Sequence, residues 1–178
     1  MKIEDDPAWQ LLARSKQFIL SAKLLRDNAR ENEKLLRTPM LHLLGHGIEV
    51  FLKHDLVRNG QAIDDLRKKY GHNLKRLWSD TDSNLKVKLH GMCERALDDA
   101  RASGQFVDED WGDPLRKLDE YLKALSVLHD KESGYTLRYL QSVNTMGPRP
   151  HMLIDTFLPV IEDVLSTWKG FGKFEGGQ

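Results

Sequence analysis

The chain has 178 residues, of which 40% are hydrophobic and 30% are charged. This balance is typical of a single globular domain and differs from the composition of a disordered chain. The 27 Lys and Arg residues equal the 27 Asp and Glu residues, so the formal net charge is zero. A neutral chain is a poor candidate for capturing nucleic acid by bulk positive charge, although a local basic patch is compatible with it.

A single cysteine, Cys93, excludes an intramolecular disulfide and a zinc cluster built on several cysteines. The N-terminal residues lack the basic-then-apolar pattern of a signal peptide, and no apolar run approaches the ~20 residues needed to cross a bilayer. We therefore expect a cytoplasmic protein that does not contact a membrane.

Apolar residues recur at steps of three and four along most of the chain, which is the period of amphipathic helices. The first helix is predicted to begin at Asp6-Pro7, because Asp can cap a helix and Pro suits its first position, and to run to about residue 30. A second capped start at Thr38-Pro39 predicts a helix over about 39–58, which an Asn-Gly turn ends.

The remaining periodic segments predict a short helix over 63–70, a further turn or two up to Trp78, and helices over about 83–103, 114–129 and 151–168. Residues 131–150 break the period and are predicted to form an ordered loop. Strand signals are nearly absent. The sequence thus predicts one all-α domain of about five or six helices over 1–169, followed by a flexible tail over 170–178.

Helix two carries a row of polar residues beside its apolar face, namely His42, His46, Glu49 and Lys53. Polar side chains on a largely apolar helix cost desolvation unless they are paired or bind a ligand. Glu49 and Lys53 are spaced for an ion pair one helical turn apart. The row therefore organises the core or builds a site.

Two interpretations of this row use nearly the same residues. In the structural one, Glu49, Lys53, His72 and Arg138 form a buried polar network that fixes the loop on the bundle, with Arg138 as the partner of Glu49. In the functional one, Lys53, His72 and Arg138 donate hydrogen bonds to a phosphate and Tyr139 stacks on a base.

A metal ion is a further alternative, because His42 and His46 lie one turn apart and two such imidazoles can bind one ion. The Glu of a His-Glu-x-x-His metalloprotease motif is missing, since position 43 is Leu. A third ligand has to come from elsewhere, for which His72 is the candidate. Packed or hydrogen-bonded histidines are the commoner case, so we predict no metal ion and no other cofactor, with His42 and His46 as the weak metal candidates.

Gly45 and Gly47 flank His46 in the middle of the same helix, where each glycine costs up to ~1 kcal/mol relative to alanine. The close approach of a neighbouring helix, within the bundle or across a dimer, would offset that cost. The two glycines therefore predict a tight helix contact on this face.

The motifs of this region together resemble the HEPN superfamily of small prokaryotic helical-bundle proteins. The matching segments, in about a third of the chain, are His46-Gly47-Ile48-Glu49, Lys53, Asn59-Gly60, Gly71-His72-Asn73-Leu74 and Arg138-Tyr139. The resemblance implies an up-and-down helical bundle, often a homodimer. It also implies a role in RNA or nucleotide binding and in toxin–antitoxin or phage-defence systems, where the partner is a nucleotidyltransferase-type protein.

The chain departs from the active ribonucleases of that superfamily, which carry an Arg and then a His with four to six residues between them. Arg149 and His151 are too close together, whereas Arg37 and His42 fit the spacing but lie at the start of helix two. We therefore expect a non-catalytic module that binds RNA, a nucleotide or a protein partner. The alternatives are a metal-independent endoribonuclease using Arg37 and His42, and a structural adaptor without a nucleic-acid ligand.

Overall fold

The computed structural model describes residues 3–104, 112–129 and 147–171. These ranges contain helices and no β-strand, which confirms the predicted all-α class. The seven α-helices of the described ranges are α1 (Pro7–Asp27), α2 (Glu33–Arg58), α3 (Ile63–Tyr70), α4 (Leu74–Asp80), α5 (Ser83–Ala102), α6 (Pro114–His129) and α7 (Pro150–Phe171).

The predicted count of five or six helices was too low, because α4 is a helix of its own rather than a turn or two. The Asn73 side chain accepts a hydrogen bond from the backbone nitrogen of Arg76 at 2.9 Å. Such a cap satisfies one of the donors that a helix start leaves open, and it allows a short helix to begin directly after the Gly71 turn.

Two predicted helix starts are confirmed by their capping contacts. Asp6 accepts a hydrogen bond from the backbone nitrogen of Ala8 at 2.8 Å, and Pro7 occupies the first position of α1. Asp82 accepts one from the backbone nitrogen of Asn84, also at 2.8 Å, and so caps α5.

The predicted start of helix two at Thr38-Pro39 was wrong, since α2 begins at Glu33 and contains Pro39. A proline inside a helix removes the hydrogen bond to the carbonyl four residues earlier, here that of Leu35. Leu35 is 76% exposed, so water can reach this part of the helix, and the first buried residue of α2 is Met40. The defect therefore lies in a solvent-exposed extension of α2, outside the core.

Helix α2 lies at the centre of the bundle and packs against α1, α4, α6 and α7. It runs antiparallel to α1, because Ala8 meets His54 at one end of the pair while Ser15 meets Gly47 nearer the middle. None of the helices in the described ranges combines the length and the apolar character that crossing a bilayer requires. Of the predicted loop over 131–150, only 147–150 are among the described residues, and Pro150 already begins α7. Of the predicted tail over 170–178, the described residues 170–171 belong to α7, and the rest lies outside the described residues.

The tight helix contact predicted at Gly47 is confirmed, and it lies within the bundle. A Cβ atom at Gly47 would be 2.6 Å from Cγ1 of Ile19 and 3.1 Å from Cβ of Phe18. The buried hydroxyl of Ser15 donates a 2.8 Å hydrogen bond to the carbonyl oxygen of Gly47. Small residues on both helices thus allow α1 and α2 to approach closely.

Candidate functional site

A buried carboxylate marks the candidate site on the inner face of α2. Glu49 is 4% exposed and contacts three nitrogen atoms. Its Oε1 lies 2.6 Å from Nζ of Lys53, and its Oε2 lies 3.0 Å from Nδ1 of His72 and 2.8 Å from Nε2 of His129. We refer to Glu49, Lys53, His72 and His129 as the Glu49 cluster.

Three different segments deliver the partners of Glu49. Lys53 follows one turn later on α2, and its Nζ also donates to the carbonyl oxygen of Gly71 at 2.8 Å. Gly71 has a φ angle of +54°, a conformation that favours glycine, and it turns the chain so that His72 meets the carboxylate. His129 is the last residue of α6.

Gly45 makes room for the ring of His129 beside α2. A Cβ atom at Gly45 would be 2.7 Å from Nδ1 of that ring, closer than side chains tolerate. The prediction that the glycines of α2 permit a close approach therefore holds at Gly45 as well, and the approaching group is an imidazole. The sequence predicted no part in a site for His129, since a histidine that follows a stripe of leucines is typical of core packing.

The Glu49 cluster keeps its carboxylate ionised. Burial by itself would raise the pKa of Glu49, but the hydrogen bond from His129, the charge and hydrogen bond of Lys53 and the hydrogen bond from His72 outweigh it and lower that pKa to about 2. An ionised carboxylate only accepts hydrogen bonds. The hydrogens in these contacts therefore belong to Nε2 of His129, Nδ1 of His72 and Nζ of Lys53.

These contacts are the ones that the structural interpretation predicts for Glu49, Lys53 and His72. The predicted partner Arg138 and the predicted stacking residue Tyr139 lie outside the described residues. Within the described residues, His129 is the third partner of Glu49. A phosphate-binding role for Lys53 and His72 stays a prediction.

The other two histidines of the polar row continue the cluster along α2. The rings of His42 and His46 meet edge to face with centroids 4.7 Å apart, and those of His46 and His129 do so at 4.6 Å. One possible metal-ligand atom from each of His46, Glu49 and His129 lies within 4.8 Å of the other two. Among the described residues, this group has metal-ligand spacing, whereas the predicted set of His42, His46 and His72 does not form such a group.

A second site lies where the start of α2 meets the start of α7, in a groove of about 360 Å³. We call it the α2–α7 groove. Its lining residues are Glu33, Lys34, Arg37, Arg149, Pro150 and His151.

Contacts within the groove fix its two helix ends relative to each other. Nη2 of Arg37 donates a 2.6 Å hydrogen bond to the carbonyl oxygen of Gly147. Nδ1 of His151 lies 3.7 Å from Oε1 of Glu33, and burial lowers the pKa of His151. In the sequence, Arg149 and His151 are too close together for the ribonuclease motif. They share a groove with Arg37 only because of the tertiary fold, which no local pattern shows.

The proposed ribonuclease pair does not share one face of α2. His42 is five positions after Arg37, which places the two residues roughly 140° apart around an α-helix. Arg37 contacts Gly147, while the ring of His42 packs on that of His46. The structure therefore places Arg37 in the same groove as Arg149 and His151, and His42 does not line that groove.

Comparison of the chain with protein-family models, with curated proteins and with solved structures finds no match. The resemblance to the HEPN superfamily accordingly depends on the motifs quoted above.

Proposed function

We propose that this chain is a HEPN-like helical-bundle protein that binds RNA or a nucleotide without cleaving it, as part of a toxin–antitoxin or defence system. The observation that carries the proposal is the α2–α7 groove, which is lined by Lys34 and Arg37 from α2 and by Arg149 from the residue directly before α7. Guanidinium groups suit phosphate oxygens because their planar donors can bind two of them at once.

The charge of the groove supports a small phosphate footprint. Among the residues that line the groove, Lys34, Arg37 and Arg149 are cationic and Glu33 is anionic. The net charge of the groove is therefore +2 when His151 is neutral. The whole chain has no net charge. Attraction is therefore local, and we expect one or two phosphates to be bound rather than a long stretch of backbone.

The Glu49 cluster has an architectural part in this proposal. Its hydrogen bonds hold the turn at His72 and the end of α6 against α2. Arg138 and Tyr139 keep their predicted role as additional contacts for a phosphate and a base. We further propose that two copies of the chain form a homodimer and that a nucleotidyltransferase-type protein is the partner.

The test is RNA binding by fluorescence anisotropy, with a labelled short single-stranded RNA, in EDTA and at two salt concentrations. We expect the double variant Arg37→Gln/Arg149→Gln to bind about tenfold more weakly or worse, because charge-assisted contacts to phosphate are lost. The slope of log affinity against log salt should become shallower by about 0.7 to 1.4, at ~0.7 for each of the one or two phosphate contacts that are lost.

The matched control is Arg101→Gln, which removes one charge from an exposed arginine on α5 that lies 3.2 Å from Asp98. Its affinity should equal that of the wild type. An unchanged affinity in the double variant would place RNA binding elsewhere. No binding by the wild type at low salt would favour the structural-adaptor alternative.

The same reactions, analysed on a denaturing gel, test the enzyme alternative. We expect intact RNA after incubation in EDTA. Cleavage that persists in EDTA and is lost in His42→Ala would instead establish a metal-independent ribonuclease that uses Arg37 and His42.

A further inference from the structure

The histidine end of the Glu49 cluster has the donor spacing of a metal site. Ligands placed tetrahedrally at 2.0 to 2.2 Å from one zinc ion are about 3.3 to 3.6 Å from each other. Nε2 of His129 lies 2.8 Å from Oε2 of Glu49, and donor atoms of His46, Glu49 and His129 lie within 4.8 Å of one another. Small side-chain movements therefore suffice for all three to reach one ion.

We propose that His46, Glu49 and His129 bind one divalent transition-metal ion of the zinc class. Two imidazoles and one carboxylate are a ligand set that suits zinc and similar ions, whereas Mg²⁺ and Ca²⁺ prefer oxygen ligands throughout. Nδ1 of His72 lies 3.0 Å from Oε2 of Glu49, and the half-exposed His72 marks the side of the cluster that reaches solvent. This proposal is independent of RNA binding.

The backbone is arranged to bring these donors together. His46 and Glu49 lie three residues apart and so share one face of α2. The missing Cβ of Gly45 is what lets the ring of His129 reach that face, since an added Cβ would be 2.7 Å from its Nδ1. Glycine in a helix interior is unfavourable relative to alanine, and here it makes room for the third donor.

Lys53 binds Oε1 of the Glu49 carboxylate and so leaves Oε2 as the oxygen for a metal ion. Its Nζ lies 2.6 Å from Oε1 of Glu49 and also holds the carbonyl of Gly71, which leaves Oε2 directed at His129. Groups that orient a ligand in this way tune metal sites. When bound, the metal would take the place of the hydrogen on Nε2 of His129, and that hydrogen would move to Nδ1 of the same ring, which stays neutral.

The experiment is a calorimetric titration of ZnCl₂ into protein purified without a histidine tag and freed of metal with EDTA. We expect one equivalent to bind, with lower affinity at pH 6 than at pH 8 because the imidazoles must be unprotonated. His46→Gln should weaken binding by about 100-fold while the fold is kept, since the hydrogen bonds of Glu49 to His72 and His129 do not involve His46.

His90→Gln is the matched control, because His90 packs on Trp78 away from α2. It should bind zinc like the wild type. A wild type that binds no zinc, or a His46→Gln variant that binds it undiminished, would overturn the proposal. The absorption spectrum of Co²⁺ added to the wild type gives an answer that needs no variant: bands differing from those of hydrated Co²⁺ support the site, and an unchanged spectrum contradicts it.

Discussion

His54 shows how one buried side chain makes stability depend on pH. Its Nδ1 lies 2.9 Å from the carbonyl oxygen of Ala8, and because a carbonyl only accepts, Nδ1 carries the hydrogen. Burial lowers the pKa of His54 below its ordinary value of 6.5. The bond to Ala8 opposes this shift, the charge of Arg58 adds to it and that of Asp6 opposes it, with burial the largest effect.

We therefore expect His54 to destabilise the fold in acid. Between pH 7 and pH 5 the unfolded chain takes up a proton at this position more readily than the folded chain, so the free energy of unfolding falls as the pH falls. In His54→Asn, a side-chain amide can replace the Nδ1 donor without titrating, and the fall should be shallower. Urea unfolding at several pH values measures it, and equal pH dependence in both proteins would contradict the assignment.

Residues of the candidate site could be predicted from the sequence only where their relation is local. Glu49 and Lys53 are one turn apart, so their pairing follows from helix geometry. His129 lies 80 residues from Glu49, and a histidine that ends a leucine stripe is equally typical of core packing. Arg37 and Arg149 are likewise brought together only by the packing of α2 against α7.

At the scale of the helices, alanine should have opposite effects on stability at two glycines, one at the tight contact between α1 and α2 and one on the open face of α5. Gly47→Ala should destabilise the protein by about 1 kcal/mol or more, because overpacking against Ile19 outweighs the better helix propensity of alanine. Gly91→Ala on α5 meets nothing within 4 Å and should stabilise the protein by up to ~1 kcal/mol. Urea unfolding of both variants measures this, and stabilisation by Gly47→Ala would show that α1 can move away.

The helix boundaries show which local signals are dependable. The helices that Asp6 and Asp82 cap begin where the sequence predicts, because capping is a property of the residue and its immediate neighbours. Pro39 misled the prediction, since proline marks a helix start well but is also tolerated where the helix faces water. The part of α2 before Pro39 is largely exposed, and its contacts run to residues distant in the sequence, such as that from Arg37 to Gly147, which local signals do not show.

At the scale of the whole molecule, exposed leucines support the proposed homodimer. Leu20 and Leu24 lie one turn apart on α1 and are 38% and 56% exposed. We expect the wild type to be dimeric and Leu24→Glu to be monomeric, because a charge at an apolar interface is left desolvated. Val87→Glu, at a 72% exposed position on α5, is the control and should remain dimeric.

Light scattering coupled to size-exclusion chromatography measures the mass of each protein over a range of concentrations. A wild type that is monomeric throughout would contradict the homodimer. A Leu24→Glu variant that stays dimeric would place the interface on another face.

The long sequence separations in the Glu49 cluster bear on the order in which the bundle assembles. The antiparallel α1–α2 pair is local in the chain and can form early, whereas His72 and His129 join Glu49 across 23 and 80 residues. Until α6 docks, water still solvates the carboxylate. The docking step that strips this water away also supplies the donors that replace it, so no folding intermediate has to carry a dry, unpaired charge.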